Sequence, residues 1–443
     1  MAPRVDPVAS DTAPPPRSSV VVIGGGIIGC STALFLARKG IPVVLCEKGE
    51  IAGEQSSRNW GWCRKMGRDL REIPLAIEAL RLWSEMNTLV EAETGFRQCG
   101  MVYLCKTQKE LEHREAWLDQ AARPYQLDSR MLSKTEAAAL FPGLAGDWAG
   151  GLYTPSDGRA EAQKAAPAIA TAARRAGATV LTQCAVRGVE TQGGRIAGVV
   201  TERGRIACDS VVLAGGVWSR LFCGSLDLRL PQLKVMSSVM RTHPIEGGPE
   251  ISCAGFGFGV RKRLDGGYNL ASWSGNVHEI VPDTLRFFTD FLPAARMEWD
   301  TLRLRLGPAF LEEWRRPTRW SLDAETPFER VRVLDPPPYE PILRQARESV
   351  TAAFPAFRDM RVAESWGGVI DVTPDAVPVI SGVDTLPGFF IATGFTGHGF
   401  GIGPGAGRLM ADLVTGAAPV VDPTPFRFSR FSDGSRPRPS PLA

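Results

Sequence analysis

The sequence predicts an α/β fold, α+β overall, organised on a parallel sheet, and three observations predict it. Ser19-Val20-Val21-Val22-Ile23 is an unbroken, mostly β-branched run, as a strand buried on both faces requires. It passes directly into Gly24-Gly25-Gly26-Ile27-Ile28-Gly29, which fits G-x-G-x-x-G. Ile27, Cys30, Leu34 and Ala37 then keep helical spacing as far as Gly40, and a second strand, Val43 to Cys46, ends at Glu47. Strand, turn, helix and strand in about 30 residues make one βαβ unit of the Rossmann type.

Each part of that unit suits a dinucleotide. Gly24 permits the tight turn, Gly26 lets the backbone approach a pyrophosphate, and Gly29 lets helix and strand pack closely. Free N–H groups and the macrodipole at the helix start favour the phosphates. Glu47 stands 18 positions past Gly29, where a carboxylate accepts hydrogen bonds from a ribose diol and repels a 2′-phosphate. FAD or NAD is therefore expected, and NADP is not.

Composition sets the outer limits. At 443 residues two domains are expected. A hydrophobic share of 44% and a charged share of 22% exclude a disordered chain and a membrane bundle. The net charge is +3, with no basic run or aromatic-basic cluster, so no nucleic-acid partner is expected. Nine scattered cysteines without a C-x-x-C pair read as buried reduced thiols, and four histidines without paired spacing give no metal site. Residues 1–17, rich in Pro and Ala and without a signal-peptide core, read as a disordered lead-in. No stretch of 18 apolar residues is present, so no integral membrane segment is expected and the reading is of a cytoplasmic protein. Oligomeric state leaves no mark in the sequence.

Along the chain, Ile51 to Arg68 reads as a polar loop, and Leu75 to Leu89 as one helical face closed at Gly95. Met101 to Cys105 is a short strand. Thr107 with Glu110, and Ser133 with Glu136, are capping-box starts. The Gly/Pro-rich stretch 141–159 reads as a crossing between domains, followed by an alanine-rich helix from Glu161 to Arg175. A small antiparallel meander turns at Gly193-Gly194 and leads into the strand Val211 to Leu213, which runs into Ala214-Gly215-Gly216. Residues 285–313 read as helical and aromatic. Phe389 to Thr393 is a last strand, leading to a loop with glycines at 394, 397, 399, 401, 403 and 405 and a helix that ends at Gly416.

A nicotinamide enzyme needs one glycine turn, so the two later ones at Ala214-Gly215-Gly216 and after Gly394 call for a flat ring that the backbone approaches closely. A helix starting near Gly403 or Pro404 would aim its positive end at the N1 and C2 carbonyl region of a reduced flavin.

The three glycine segments, with Val211 to Trp218 and Ala392 to Gly405, resemble the FAD-dependent D-amino-acid dehydrogenase, glycine oxidase and sarcosine oxidase family. Five further segments, Ile51 to Ser56, Cys184 to Gly188, Leu213 to Phe222, Pro317 to Asp323 and Asp422 to Phe426, resemble the bacterial L-amino-acid deaminases within it. The chain departs from these deaminases in lacking a membrane anchor, and in carrying Trp62 where they have a polar side chain. The resemblance implies an FAD-binding domain (18–90, 150–224 and 345–430) interrupted by a substrate domain (91–149 and 225–344) with a mixed, largely antiparallel sheet. It places the FAD contacts at Gly24, Gly26, Ile27, Ile28 and Gly29 and at Glu47 with Lys48. Further contacts fall on Gln55, Ser56, Ser57 and Arg58, on Val186, and on Ala214, Gly215, Gly216 and Trp218. The last group is Gly394, Thr396, Gly397, His398 and Gly399.

The chemistry implied is hydride transfer from the carbon bearing nitrogen to flavin N5, giving an imino acid that water converts to keto acid and ammonia, with oxygen or another acceptor reoxidising the flavin. A carboxylate substrate calls for a guanidinium in an apolar pocket. The arginine matching the family is Arg261, with Arg263 as an alternative, and Trp62, Tyr268, Trp273 and Phe395 are candidate pocket walls. Arg58 could neutralise the pyrophosphate, shape the flavin loop or be plain surface charge. Ile370 to Asp375 holds neither Cys nor His, so the FAD is expected to be non-covalent. L or D stereochemistry stays open, as does oxidase or dehydrogenase. Oxidation of secondary amines such as N-methyl amino acids is the rival reaction, and a non-catalytic flavin protein is the rival of another class.

Overall fold

The structure is a computed structural model that describes residues 3–272, 277–299 and 302–440. It is a mixed α/β molecule built on two large sheets. The first is the parallel sheet that the βαβ unit predicts. Val20–Ile23 lies between Val43–Cys46 and Ser210–Leu213, with Thr179–Leu181 outside the former and Phe389–Thr393 outside the latter. Val379–Gly382 closes the far edge antiparallel.

Both faces of this sheet are covered, which is why its strands are apolar throughout. Val20, Val22, Leu45 and Val212 point into a helical layer formed by Ile27–Arg38, Ile73–Val90, Ala162–Arg175 and Gly399–Thr415. Val21, Ile23, Val44 and Leu213 point the other way, against the meander Val186–Gln192, Arg195–Thr201 and Gly204–Ala207 and the rings of Trp218 and Phe222.

The later of the C-terminal glycines have a different cause from the one the sequence suggests. The helix begins at Gly399, ahead of Gly403, and Gly401, Gly403, Gly405 and Gly407 lie inside it. A Cβ on Gly403 would sit 2.8 Å from Ile27 Cγ1, and one on Gly407 2.4 Å from Ser31 Cβ. Gly403 and Gly407 let this helix approach Ile27–Arg38, Gly405 lets it approach Ile73–Val90, and Gly401 faces the Trp62 carbonyl.

The second sheet is mixed and largely antiparallel. Its centre is Leu233–Thr242, paired along its whole length with Val362–Val372 and followed by Tyr268–Ala271, Phe258–Lys262 and Ser252–Gly255, then Met101–Cys105 and Gly150–Thr154. One face packs on the helix Glu340–Ala353 through Leu343, Ala346 and Val350. The opposite face carries Val239, Ala271 and Trp366, with Trp60 packed against them. Residues 150–154 and 362–372 thus pair into this sheet, although the sequence places both in the nucleotide-binding portion.

Two other expectations are corrected. Residues 3–17 are an extended strap and not a disordered lead-in. Asp11 N–H donates to Val180 O at 2.7 Å, the Asp11 carboxylate accepts from Val180 N–H and pairs with Arg174, and Arg17 bridges to Ala207. The stretch 285–313 is broken into Pro282–Arg286, Phe288–Met297, the short strand Arg303–Arg305 and Ala309–Arg315. No described helix is long and apolar enough to cross a membrane.

Candidate functional site

One cavity runs between the two sheets, and all three glycine turns line it. Gly24 and Gly26 line it from the first turn, Ala214, Gly215 and Gly216 from the second, and Thr396, Gly397 and Gly399 from the third. Gly24 has a φ of +109°, and a Cβ there would lie 2.4 Å from Ala214 O, so the first turn and the mid-chain turn are pressed together. The helix start beside them has no side-chain cap. Its Ile27 N–H donates to Ser56 Oγ at 2.8 Å. Glu47, in the cavity wall, accepts from Gly25 N–H at 2.6 Å and Gly49 N–H at 2.7 Å, and burial pushes its carboxyl up despite Lys48 beside it.

Asp371 fastens the third turn to the second sheet. Its carboxylate accepts from Gly394 N–H at 2.6 Å, from Thr393 Oγ1 at 3.1 Å and from Gln232 Nε2 at 3.1 Å, and burial holds its carboxyl above the usual range. With its amide oriented so that the nitrogen faces Asp371, Gln55 completes the joint by donating to Asp371 Oδ1 at 2.9 Å and accepting from Val217 N–H at 3.2 Å. The last strand of one sheet, the end strand of the other and the mid-chain turn therefore meet at one buried carboxylate.

The second sheet and the loop after Arg58 supply the rest of the wall. Trp60 and Trp62 meet edge to face at 4.6 Å, and a Cβ on Gly259 would strike both rings, at 2.7 and 2.9 Å. Phe395 lines the cavity with them. Arg64 and Arg68 also line the cavity. Arg64 lies over the Tyr103 ring, and Arg68 is only 2% exposed. Burial, followed by the like charge of Arg64, brings the Arg68 guanidinium down to about 9, so it stays a cation at neutral pH.

The structure brings together most of the expected site residues and sets others aside. Ile27, Ile28, Val186 and Trp218 line the cavity with the turns. Lys48 lines it too, but its Nζ is taken by Glu54 and by the carbonyls of Val331 and Arg332. Arg58 lines the cavity as well, pairs with Asp335 at 2.7 Å and donates to Gly367 O, so it is not free surface charge. Ser57 is buried beneath the cavity, its hydroxyl on Glu54 O, and Gly29 and Gly394 act behind the wall. His398 sits off the wall and donates Nδ1–H to Glu72 Oε2 at 3.0 Å, and burial, then Arg68, pulls its imidazole below the ordinary value.

Arg261 is displaced from the cavity by a competing partner. It is 1% exposed, bonded through Nη1 to Glu161 Oε1 at 2.7 Å and through Nε to Trp60 O at 2.8 Å. Its guanidinium lies one layer behind the tryptophans and holds the backbone of Trp60. Arg263 also reaches Glu161, at 3.5 Å. Tyr268 is fully buried against Phe357 on the far side of the sheet. Trp273 lies outside the described residues. Asp371, Trp60, Arg64 and Arg68 were not singled out by sequence. The available signal for the arginines was their four-residue spacing immediately after an aromatic pair.

With this geometry in place, the comparisons are specific. The family model for FAD-dependent oxidoreductases, DAO, matches residues 19–413. The solved L-amino acid deaminase from Proteus myxofaciens, in complex with anthranilate, is 34% identical, with a TM-score of 0.94 over 98% of both chains. Glycine oxidase of Pseudomonas aeruginosa is 25% identical over 92% of this chain and 97% of its own. The 4-methylaminobutanoate oxidase of Paenarthrobacter nicotinovorans is 25% identical over 94% of this chain, which spans only 46% of that longer protein.

Proposed function

The chain belongs to the DAO family of FAD-dependent oxidoreductases, and from that premise we propose that it oxidatively deaminates a free amino acid to a keto acid and ammonia. The single observation that supports this reading is the cavity itself, in which three glycine turns and an aromatic, cationic wall face one another.

The residues present fit FAD. The turn at Gly24 leaves no room for a side chain, the helix start after Gly26, where Ser56 takes only the Ile27 N–H, suits phosphates, and Glu47 suits a ribose diol. When bound, FAD supplies the hydride acceptor for the substrate carbon that bears nitrogen. The protein's part is to bind, orient and dry the substrate. Trp60, Trp62 and Phe395 exclude water, and with Arg64 and Arg68 they disfavour a charged ammonium, so the amine is held in the neutral form that oxidation requires. Arg261, through the Trp60 carbonyl, positions that wall. The imine is hydrolysed by water, and oxygen or another acceptor takes the electrons.

A second reading, oxidation of an N-methyl or other secondary amine, is favoured by the relative named for 4-methylaminobutanoate. Product identity separates the two. Incubation with amino acids should yield keto acid and ammonia in equal amounts. Turnover confined to N-methyl compounds, with formaldehyde or methylamine as product, would replace the first reading with the second.

A further inference from the structure

The one-turn helix Gln55–Arg58 joins all three glycine turns. Ser56 Oγ accepts from Ile27 N–H at 2.8 Å, and Gln55 stands against Gly216 and against Asp371, whose carboxylate takes Gly394 N–H. The carbonyls that close so short a helix have no partner within it. Asn59 Nδ2 donates to Ser56 O at 2.8 Å, and Gln163 Nε2 donates to Ser57 O at 2.6 Å. Gln163 is buried, and its Oε1 has no hydrogen-bond partner among the described residues. The amide therefore serves through its donor, at the cost of an unsatisfied acceptor.

Gln163 is in turn fixed by the strap. It lies in the first turn of the helix Ala162–Arg175, where its carbonyl would ordinarily accept from the residue four positions on. That residue is Pro167, which has no N–H. Asp6 N–H takes its place, donating to Gln163 O at 3.1 Å. Val5 and Val8 pack against the core on either side of this bond, and Asp6 pairs with Lys164 at 3.1 Å. Asp11 bonds Val180 in both directions, on the strand at the edge of the parallel sheet, so the strap is held at its far end too. Neither Gln163 nor any described residue of the strap lines the cavity.

We propose that Gln163 is a positioning residue for FAD and that residues 3–11 set its position, so that flavin retention depends on a segment outside the cavity. The path runs from Asp6 through Gln163 and Ser57 to Ser56 and the Ile27 N–H. It concerns how FAD is held and is the same whichever amine is oxidised.

The test is the FAD dissociation constant, obtained by serial dilution of the holoprotein and read as recovery of free-flavin fluorescence. Gln163→Leu leaves Ser57 O buried without a donor and should raise the constant about 10-fold. Asp6→Pro deletes the N–H that reaches Gln163 O and should raise it about threefold in the wild-type chain. In Gln163→Leu the same change should have no effect, because the two act along one path. Asp6→Asn keeps the N–H, loses only an exposed ion pair, and should match wild type. A constant within about twofold of wild type in Gln163→Leu overturns the proposal. So does an equal effect of Asp6→Pro in both backgrounds, or a loss in Asp6→Asn as large as in Asp6→Pro. A residue that only supports its helix would lower the urea midpoint and leave the dissociation constant where it is. Should Gln163→Leu not fold, Gln163→Met is read against the same threshold. If neither folds, the exposed Asp6→Pro decides, and FAD retention equal to wild type overturns the proposal.

Discussion

Arg261 and Glu161 form a buried ion pair at 2.7 Å directly behind the Trp60–Trp62 wall, joining a strand of the second sheet to the start of the helix Ala162–Arg175. Glu161 Oε1 also accepts from Leu264 N–H at 2.9 Å, and a Cβ on Gly61 would lie 2.8 Å from the guanidinium, so nothing larger than glycine fits between the pair and the wall. The pair is part of the scaffold that shapes the cavity.

Removing one partner leaves the other charged and buried. Arg261→Ala should therefore cost about 3–5 kcal/mol of stability, seen as a lower midpoint in urea or heat. The pair also sets a pH dependence. Burial opposes ionisation of Glu161, but Arg261 and Arg263 outweigh it and hold the carboxyl below its ordinary 4.5. A depressed folded value means the stabilisation is complete above about 4.5 and is lost as pH falls through the folded value. The Tm gap between wild type and Glu161→Gln should accordingly be widest at neutral pH and shrink towards pH 3. A gap independent of pH would contradict the assignment.

How much of this was legible depended on locality. The βαβ unit from Ser19 to Glu47 is contiguous, so strand, turn, helix and acidic residue could be read in one pass. The fate of Arg261 could not, because its partner lies 100 residues away and a strand position alone does not say which face is occupied. Glycines at 401, 403, 405 and 407 look the same whether they approach a ring or a neighbouring helix. Only the contacts decide between them: Ile27 and Ser31 for Gly403 and Gly407, Leu75 and Ala79 for Gly405, and the Trp62 carbonyl for Gly401. Arg64 and Arg68 sat in a segment that read as plain loop, since what distinguishes them is their place in the cavity wall, which is made by residues distant in the chain.

The first glycine turn has no spare room. Gly24→Val would need a left-handed backbone and would place Cβ 2.4 Å from Ala214 O. The purified variant should carry less than about a tenth of the wild-type flavin, measured as the ratio of visible to ultraviolet absorbance.

Asp371 is the joint between the sheets. Asp371→Ala strips the acceptor from Gly394 N–H, Thr393 and Gln232, which should cost about 1–3 kcal/mol for each donor left buried and unsatisfied. The variant should lose FAD on dilution faster than wild type, as followed by the recovery of free-flavin fluorescence.

Neither Cys nor His occurs between Ile370 and Asp375, and the His398 ring is engaged by Glu72. Acid precipitation should therefore release the flavin into the supernatant. Yellow colour that stays with the pellet would show a covalent bond.

The most direct measurement is the visible spectrum of the purified protein, recorded anaerobically before and after addition of a mixture of L- and D-amino acids. The account predicts one FAD per chain, bleached by at least one amino acid, with keto acid formed in proportion. A colourless protein that takes up no FAD, or a bound flavin that no amino acid reduces, would contradict it.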